Sequence, residues 1–439
     1  MKSEHEIRDP IHVFIRLSTD ERKILDSRPF QRLRKIHQLA LTYLVYPSAT
    51  HRRFEHSLGV MELATRVFNV ITDYNNITDA IRETLPQLDN RDYWRKVLRA
   101  ASLCHDIGHL PFSHAAEKEL LPDGWDHERL TVEIIKCDEM REIWKDLKLD
   151  PDDIAKLAVG QKKLPEKVNF TDWETILSEI IVGDSFGVDR MDYLLRDAYH
   201  LGVSYGKFDH YRLIDILRIL PLVPTGSHVE ERSNEPHLGV EEGGLQSAEA
   251  LLFARYCMFT QVYLHRIRRI YDIHLKDFLV FWLPEGKFST NINDLLNISD
   301  NDVLVALEQS MLDENSESFI HFRRILNREH FKVIYQRNQK DIKKNPGAVE
   351  LVYNETCKRF SGNVVRKDRY TQKGSEVDFP VLLNDGRIVS SSNESQVLEH
   401  IPLVAFDYVY VDRELEKEAR EWLNRNREDI IMPEREEDT

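Results

Sequence analysis

Apolar residues recur at helical spacing through most of the first 280 positions of this 439-residue chain, and that period directs it to a mainly α-helical architecture. Ile24, Leu25, Phe30, Leu33, Ile36 and Leu39 mark residues 19–40, and Leu58, Val60, Met61, Ala64, Val67, Phe68 and Ile71 mark residues 54–72. Val97, Leu98, Ala101, Leu103, Cys104 and Ile107 mark residues 91–107, where Gly108 and Pro111 stop the helix. The same pattern predicts helices near 127–146, 151–160, 172–182, 188–201 and 207–219. Prolines, glycines and a polar run over 220–245 predict a hairpin or mobile loop, followed by a long helix over 246–278. Beyond 285 short alternating runs (331–335, 379–383, 403–411) mix with helices such as 413–425. This texture predicts two domains: a helical body over 1–284, with its motifs in 50–202, and a smaller C-terminal α+β lobe over 285–439.

The composition excludes several classes. With 17 Gly and 16 Pro and no 20–50-residue period, collagen-like and solenoid folds are out. Lys and Arg total 60 against 75 Asp and Glu, a net charge of −15, which suits neither a nucleic-acid coat nor a membrane coat. An anionic substrate must therefore meet a local cationic pocket. The four cysteines form no CxxC pair, which excludes a Cys-based zinc module and fits a reducing, cytoplasmic setting. No run approaches 18 apolar residues, so no membrane span is expected.

The chemistry centres on His105-Asp106, at the end of an apolar helix and just before Gly108-His109. Neighbours on a helix point about 100° apart, so one metal ion can meet both only beside the helix end. Other segments must complete its shell. Two candidates are His56, at the start of another apolar helix, and Asp189, in Gly187-Val188-Asp189-Arg190-Met191-Asp192-Tyr193. Two imidazoles and two carboxylates suit Mn²⁺, Fe²⁺, Mg²⁺, Ni²⁺ or Zn²⁺ without choosing among them. Open positions on such an ion acidify water or polarise a phosphoryl oxygen.

The ordered set His56, His105, Asp106 and Asp189 resembles the ligand order of the HD-domain superfamily. The flanking text is similar to its deoxynucleoside triphosphate triphosphohydrolase branch, which includes bacterial dGTPases and SAM- and HD-domain dNTPases. The blocks are Asp9-Pro10-Ile11-His12, Gln31-Arg32-Leu33-Arg34, Gln38-Leu39, Arg53-Phe54-Glu55-His56-Ser57-Leu58-Gly59, Leu103-Cys104-His105-Asp106-Ile107-Gly108-His109, Pro111-Phe112-Ser113-His114 and Asp189-Arg190-Met191-Asp192-Tyr193. The likeness covers roughly residues 7–275.

The resemblance implies an HD-domain helical bundle that hydrolyses a deoxynucleoside triphosphate to deoxynucleoside and tripolyphosphate, a metal-activated water attacking the α-phosphorus. It makes His114 the general acid, with Glu117 orienting its ring, and puts His127 close to the substrate. Arg53, Arg190 and Arg255 would meet the phosphates, with His109 beside them; Arg190 stands where relatives have Lys. Asp189, Tyr193 and Asp197 share one helix face. Gln38 and Asp197 would bond the 3′-hydroxyl, with Leu39 adjoining, and Tyr263 would exclude a ribose 2′-hydroxyl. Leu264 stands where a close relative has Gln, and Ala40 where it has Gly, so base preference stays open. Asp26 and Arg34 lie in a stretch similar to an allosteric nucleotide site of regulated members. The expected partners are the substrate, such an effector, and further copies of the chain in a tetramer or hexamer, with manganese among the candidate metals.

Two other readings compete: an HD phosphohydrolase acting on another nucleotide or phosphate ester, and a non-catalytic nucleotide-binding scaffold. Arg53, Arg255 and Tyr263 favour a deoxynucleoside triphosphate, and the complete ligand set argues against a scaffold. Arg52, Arg266, Arg268 and Arg269 read as solvated helix faces.

Overall fold

The helix over Arg53–Ile71 buries 14 of its 19 residues, so it is apolar on nearly every side. Val60, Met61, Leu63, Ala64, Val67 and Phe68 are all fully buried, and each large one contributes about 1.5–3 kcal/mol of burial. The computed structural model describes residues 4–82, 90–112, 117–164, 168–221, 235–372 and 378–432. It is mainly α-helical, with three small sheets among the described residues.

The chain forms two compact units. Unit 1 comprises Met1–Met258, Lys287–Val303 and Ser375–Ile401. In it, the Arg53–Ile71 helix packs against Arg91–Cys104 and Val188–Leu201, and Pro151–Val159 packs against both Arg91–Cys104 and Asp172–Val182. An antiparallel hairpin, β1 (Glu4–Asp9) and β2 (Val13–Ser18), precedes these helices. β3 (Leu217–Pro221) and β4 (Pro236–Glu241) pair antiparallel. Unit 2 comprises Phe259–Gly286, Leu304–Gly374 and Pro402–Thr439. Its sheet has β5 (Lys332–Gln336) and β6 (Val365–Thr371) flanking a later strand. In unit 1, β7 (Pro380–Leu382) runs parallel to β4 and β8 (Ile388–Ser390) extends that sheet. The central strand of unit 2, β9 (Ala405–Val411), is nearly all buried, and Val409 and Val411 meet Val349, Val352, Ala419 and Leu423 of two helices in a common core.

Several predicted helices are broken, each for a local reason. The 19–40 segment stops at Asp26 because Ser27 is extended and its hydroxyl bonds Ile24 O; Pro29 can start the next turn but cannot extend the previous one. The 127–146 segment divides at Cys137, also extended, where the Trp144 indole donates to Ile135 O at 2.8 Å. The 207–219 segment is helical only over His210–Asp215 before β3 begins. The 246–278 helix is interrupted by a π-turn over Phe259–Tyr263 and resumes after the cap residue His265. Half of the 220–245 stretch, residues 222–234, lies outside the described residues, and its described flanks belong to the antiparallel β3–β4 pair of the predicted hairpin. No described helix is long and apolar enough to cross a membrane.

Two arginines read as solvated are not. Arg268 is buried and its guanidinium reaches the Tyr263 carbonyl, while Arg269 forks onto Asp368 at 2.7 and 2.9 Å. Arg52 is half-buried and only Arg266 is exposed. Two carboxylates, half-buried Glu21 and buried Asp300, tie unit 1 together. Glu21 bonds the Arg99 guanidinium, which also donates to Arg16 O at 2.8 Å. Asp300 accepts the His37 backbone N–H at 2.7 Å, the His37 ring at 2.6 Å and the Phe112 N–H at 2.8 Å.

Asp300→Ala strands two backbone donors and an imidazole, and should cost about 3–5 kcal/mol in urea unfolding. Burial opposes the ionised form of Glu21, but Arg99 and the Ser18 cap outweigh it and hold its pKa below the usual 4.5. A carboxylate with a depressed folded pKa stabilises above its unfolded value and loses that contribution as the pH falls through the folded one. The urea midpoint should therefore fall in acid, and Glu21→Gln should shallow that fall.

Candidate metal centre and its surroundings

The Arg91–Cys104 helix ends just before the His105-Asp106 pair, so both residues lie in the following turn, where both can face one point. Gly108 lets this turn lie against the Leu130-bearing helix: a Cβ there would come 2.3 Å from His127 O and 2.4 Å from Thr131 N. Arg32 pins the same loop, donating to His109 O at 2.8 Å. His56 sits one turn into the Arg53–Ile71 helix, whose first turn is fixed by Glu55 accepting the Arg52 N–H at 2.6 Å.

One ligand-type atom each from His56, His105 and Asp106 lies within 4.8 Å of the others. Asp189 Oδ1 stands 3.0 Å from His56 Nε2 and 3.5 Å from His105 Nε2. The His105 Nδ1–H donates to Ser102 O at 2.8 Å, which leaves Nε2 facing this centre without a hydrogen bond. The His56 Nδ1–H donates to Asp192 at 2.8 Å, so its Nε2 faces the centre too. Two imidazoles with fixed tautomers and two carboxylates fit a divalent cation. Burial works against protonation of His56, but bonds to Asp189 and Asp192 raise its pKa to about 10. A cation at the centre would answer the same negative field.

Asp106 also binds Arg53 and His109. Arg53 donates to its Oδ2 at 2.5 Å, and His109 Nε2 is 3.1 Å from Oδ1. Burial would raise the Asp106 pKa, yet Arg53, His105 and His109 hold it well below the carboxylate range. Burial, Arg53 and His127 also push the His109 pKa down, well below the usual imidazole value, which favours its neutral form. The His109 ring stacks on His127 with centroids 4.2 Å apart. His127 Nδ1 is 2.7 Å from Glu117 Oε1. Burial lowers the His127 pKa, but the Glu117 bond more than offsets it. Glu117, expected to orient His114, thus bonds a histidine ten residues downstream, while His114 lies outside the described residues.

Of the other predicted site residues, all but Tyr263 belong to unit 1. Gln38 and Leu39 are buried, with the Gln38 N–H bonded to His51 O at 3.1 Å and its Oε1 without a hydrogen bond. Ala40 holds a left-handed φ of 46°, a conformation glycine would adopt without strain. Asp197 accepts from His51 Nε2 at 2.7 Å. Arg190 donates to the carbonyls of Gly183 and Asp184. Tyr193 is half-buried, and both Arg190 and Arg255 lower its pKa, though burial raises it overall. Tyr263 is a buried residue of unit 2, edge-on to Phe259 at 5.2 Å. His105, Asp106, His127 and Asp189 also line a cavity of about 600 Å³, together with Lys162, Phe186 and His237.

The HD domain family matches residues 53–166, and an HD associated region matches 228–373. A crystal structure of a hypothetical protein from Aquifex aeolicus, 33% identical, covers 96% of this chain and all of its own, with a TM-score of 0.77. The chain belongs to the HD-domain family. An uncharacterized protein of Methanocaldococcus jannaschii is 34% identical over 325 residues, 72% of this chain and 60% of the relative. The deoxynucleoside triphosphate triphosphohydrolase SAMHD1 of Gallus gallus is 29% identical over 373 residues, 77% of this chain and 57% of the relative. The chain thus spans less than two thirds of the length of both.

This HD-domain chain also brings in residues the sequence did not assign. Asp192, Arg196, His12 and Asp9 lie behind His56 in one buried group. All four stood in the quoted or neighbouring motif text, but nothing in their spacing signals that they meet.

His105→Ala and Asp106→Ala should each lose metal retained by the wild-type chain, measured by elemental analysis after dialysis against Mn²⁺ and desalting. Arg22→Ala, exposed and away from the cluster, should keep it.

Proposed function

We propose that this chain is a metal-dependent hydrolase of deoxynucleoside triphosphates, releasing the deoxynucleoside and tripolyphosphate. The observation that carries this reading is the convergence of His56, His105 and Asp106, with Asp189 beside both imidazoles. The named activity of the SAMHD1 relatives supports the choice of substrate class. A divalent ion held by the four would polarise a phosphoryl oxygen and ease ionisation of the attacking water.

The chain's own residues supply the rest. In the overall step a P–O bond forms from water, the bond from the α-phosphorus to the 5′-oxygen breaks, and that oxygen must receive a proton. His127, kept basic by Glu117, is suited to hold that proton, and His114 is the second candidate. Arg53, at Asp106, and Arg190 and Arg255, near Tyr193, give the acidic chain a local positive field for the phosphates. Arg190 donates to the Gly183 and Asp184 carbonyls, neutral acceptors that leave its positive charge in place. For the sugar, the unbonded Gln38 Oε1 and the His51-held Asp197 supply acceptors for a hydroxyl. Leu39 and Tyr263 enter this reading through the resemblance alone, as do the effector nucleotide, the tetramer or hexamer, and a cytoplasmic setting.

Incubating the protein with each dNTP and rNTP plus Mn²⁺ or Mg²⁺, and resolving products by phosphorus NMR, tests the proposal. Tripolyphosphate from dNTPs, with ribonucleotides spared, is the expected outcome. Orthophosphate or pyrophosphate as the first product, or no turnover with any metal and added nucleotide, rejects it.

A further inference from the structure

Asp192 is fully buried and outside the ligand cluster, yet it accepts N–H groups from three side chains. His12 Nε2 donates to Oδ1 at 2.6 Å, and His56 Nδ1 to Oδ2 at 2.8 Å. Arg196 donates to both oxygens, at 2.8 and 3.0 Å. His12 comes from the turn between β1 and β2, and neither its side chain nor that of Asp192 is exposed. Asp9 fixes this turn: Oδ1 accepts the Ile11 and His12 N–H groups, both at 2.8 Å, and Oδ2 accepts from Arg196 at 2.9 Å. One buried guanidinium thus bridges the hairpin and Asp192.

Two backbone facts accompany this arrangement. Val13, directly after His12, has a φ of 68°, a left-handed conformation that a β-branched residue disfavours. Gly59, nearly one turn beyond His56, leaves the space Asp192 fills: a Cβ there would lie 1.9 Å from Asp192 Oδ1. The strained turn sends His12 inward, and the bare helix face admits the carboxylate it meets.

We infer that His12 is a positioning residue for the metal centre: from the hairpin turn it fixes the Asp192 carboxylate, which fixes the ring and tautomer of His56. With Oδ1 engaged by His12, Oδ2 is held for His56 Nδ1–H, and the Nε2 lone pair is aimed at Asp106 and Asp189. Without His12, Oδ1 keeps only its Arg196 donor, so the carboxylate can rotate off the angle that presents Oδ2 to His56 Nδ1–H, and the imidazole loses its fixed acceptor. The inference rests on the reading of His56 as a ligand.

The test is Mn²⁺ affinity of the full-length protein, followed by electron paramagnetic resonance. His12→Leu should weaken binding by about 10–100-fold, the usual effect of removing a partner behind a ligand. His12→Gln, whose amide can reach Asp192, should recover most of it. Arg99→Leu, which breaks a buried pair elsewhere, should lower stability and leave affinity unchanged. Should His12→Leu fail to fold, His12→Asn, whose amide is shorter, is compared with His12→Gln, and equal affinities overturn the inference. His105→Ala separates the two levels. Undiminished binding in that variant rejects the ligand reading itself. Lost binding there, with wild-type affinity in folded His12→Leu, rejects only the role of His12.

Discussion

The Asp192 carboxylate joins the β1–β2 turn, the Arg53–Ile71 helix and its own Val188–Leu201 helix through His12, His56 and Arg196. An isolated buried carboxylate would be costly, and its several charge-assisted donors make burial tolerable. Arg196 in turn has Asp9 as a second anion. The two helices approach closely at Gly59, where any side chain would collide with this carboxylate. Packing and electrostatics therefore impose one arrangement, and His56 inherits its orientation from it.

Neighbouring imidazoles behave differently because their neighbours differ. His56 faces Asp189, Asp192 and Asp106 and is driven toward protonation or metal binding. His109, beside Arg53 and stacked on His127, is driven toward the neutral form. His127 is kept basic by Glu117. A chain of strongly negative net charge thus builds a centre where anion and cation alternate within a few ångströms, the kind of place where perturbed titration marks a candidate functional site.

The helical class was legible because apolar period survives any tertiary detail, and the meeting of His56, His105 and Asp106 was legible because each ordered motif carries its own text. The helix breaks were not, since they turn on single residues: extended Ser27 and Cys137, and His265 capping a new helix after a π-turn. Partnerships across the chain were also hidden. Glu117 bonds His127 through a turn whose path its spacing does not reveal, and Arg269 finds Asp368 nearly a hundred positions later. His12 and Asp192 were visible as motif letters, but their meeting depends on the docking of a hairpin onto two helices.

Unit 1 is discontinuous, taking in residues 287–303 and 375–401 after long excursions. Asp300, which seals the His37 and Phe112 segments, arrives with the first return, and the strand that pairs with β4 arrives with the second. During synthesis unit 1 therefore has to wait, partly assembled, until residues 375–401 have left the ribosome. Its maturation is a late event, and an early stop codon that spares every motif of the first half would still leave that body without its closing pieces.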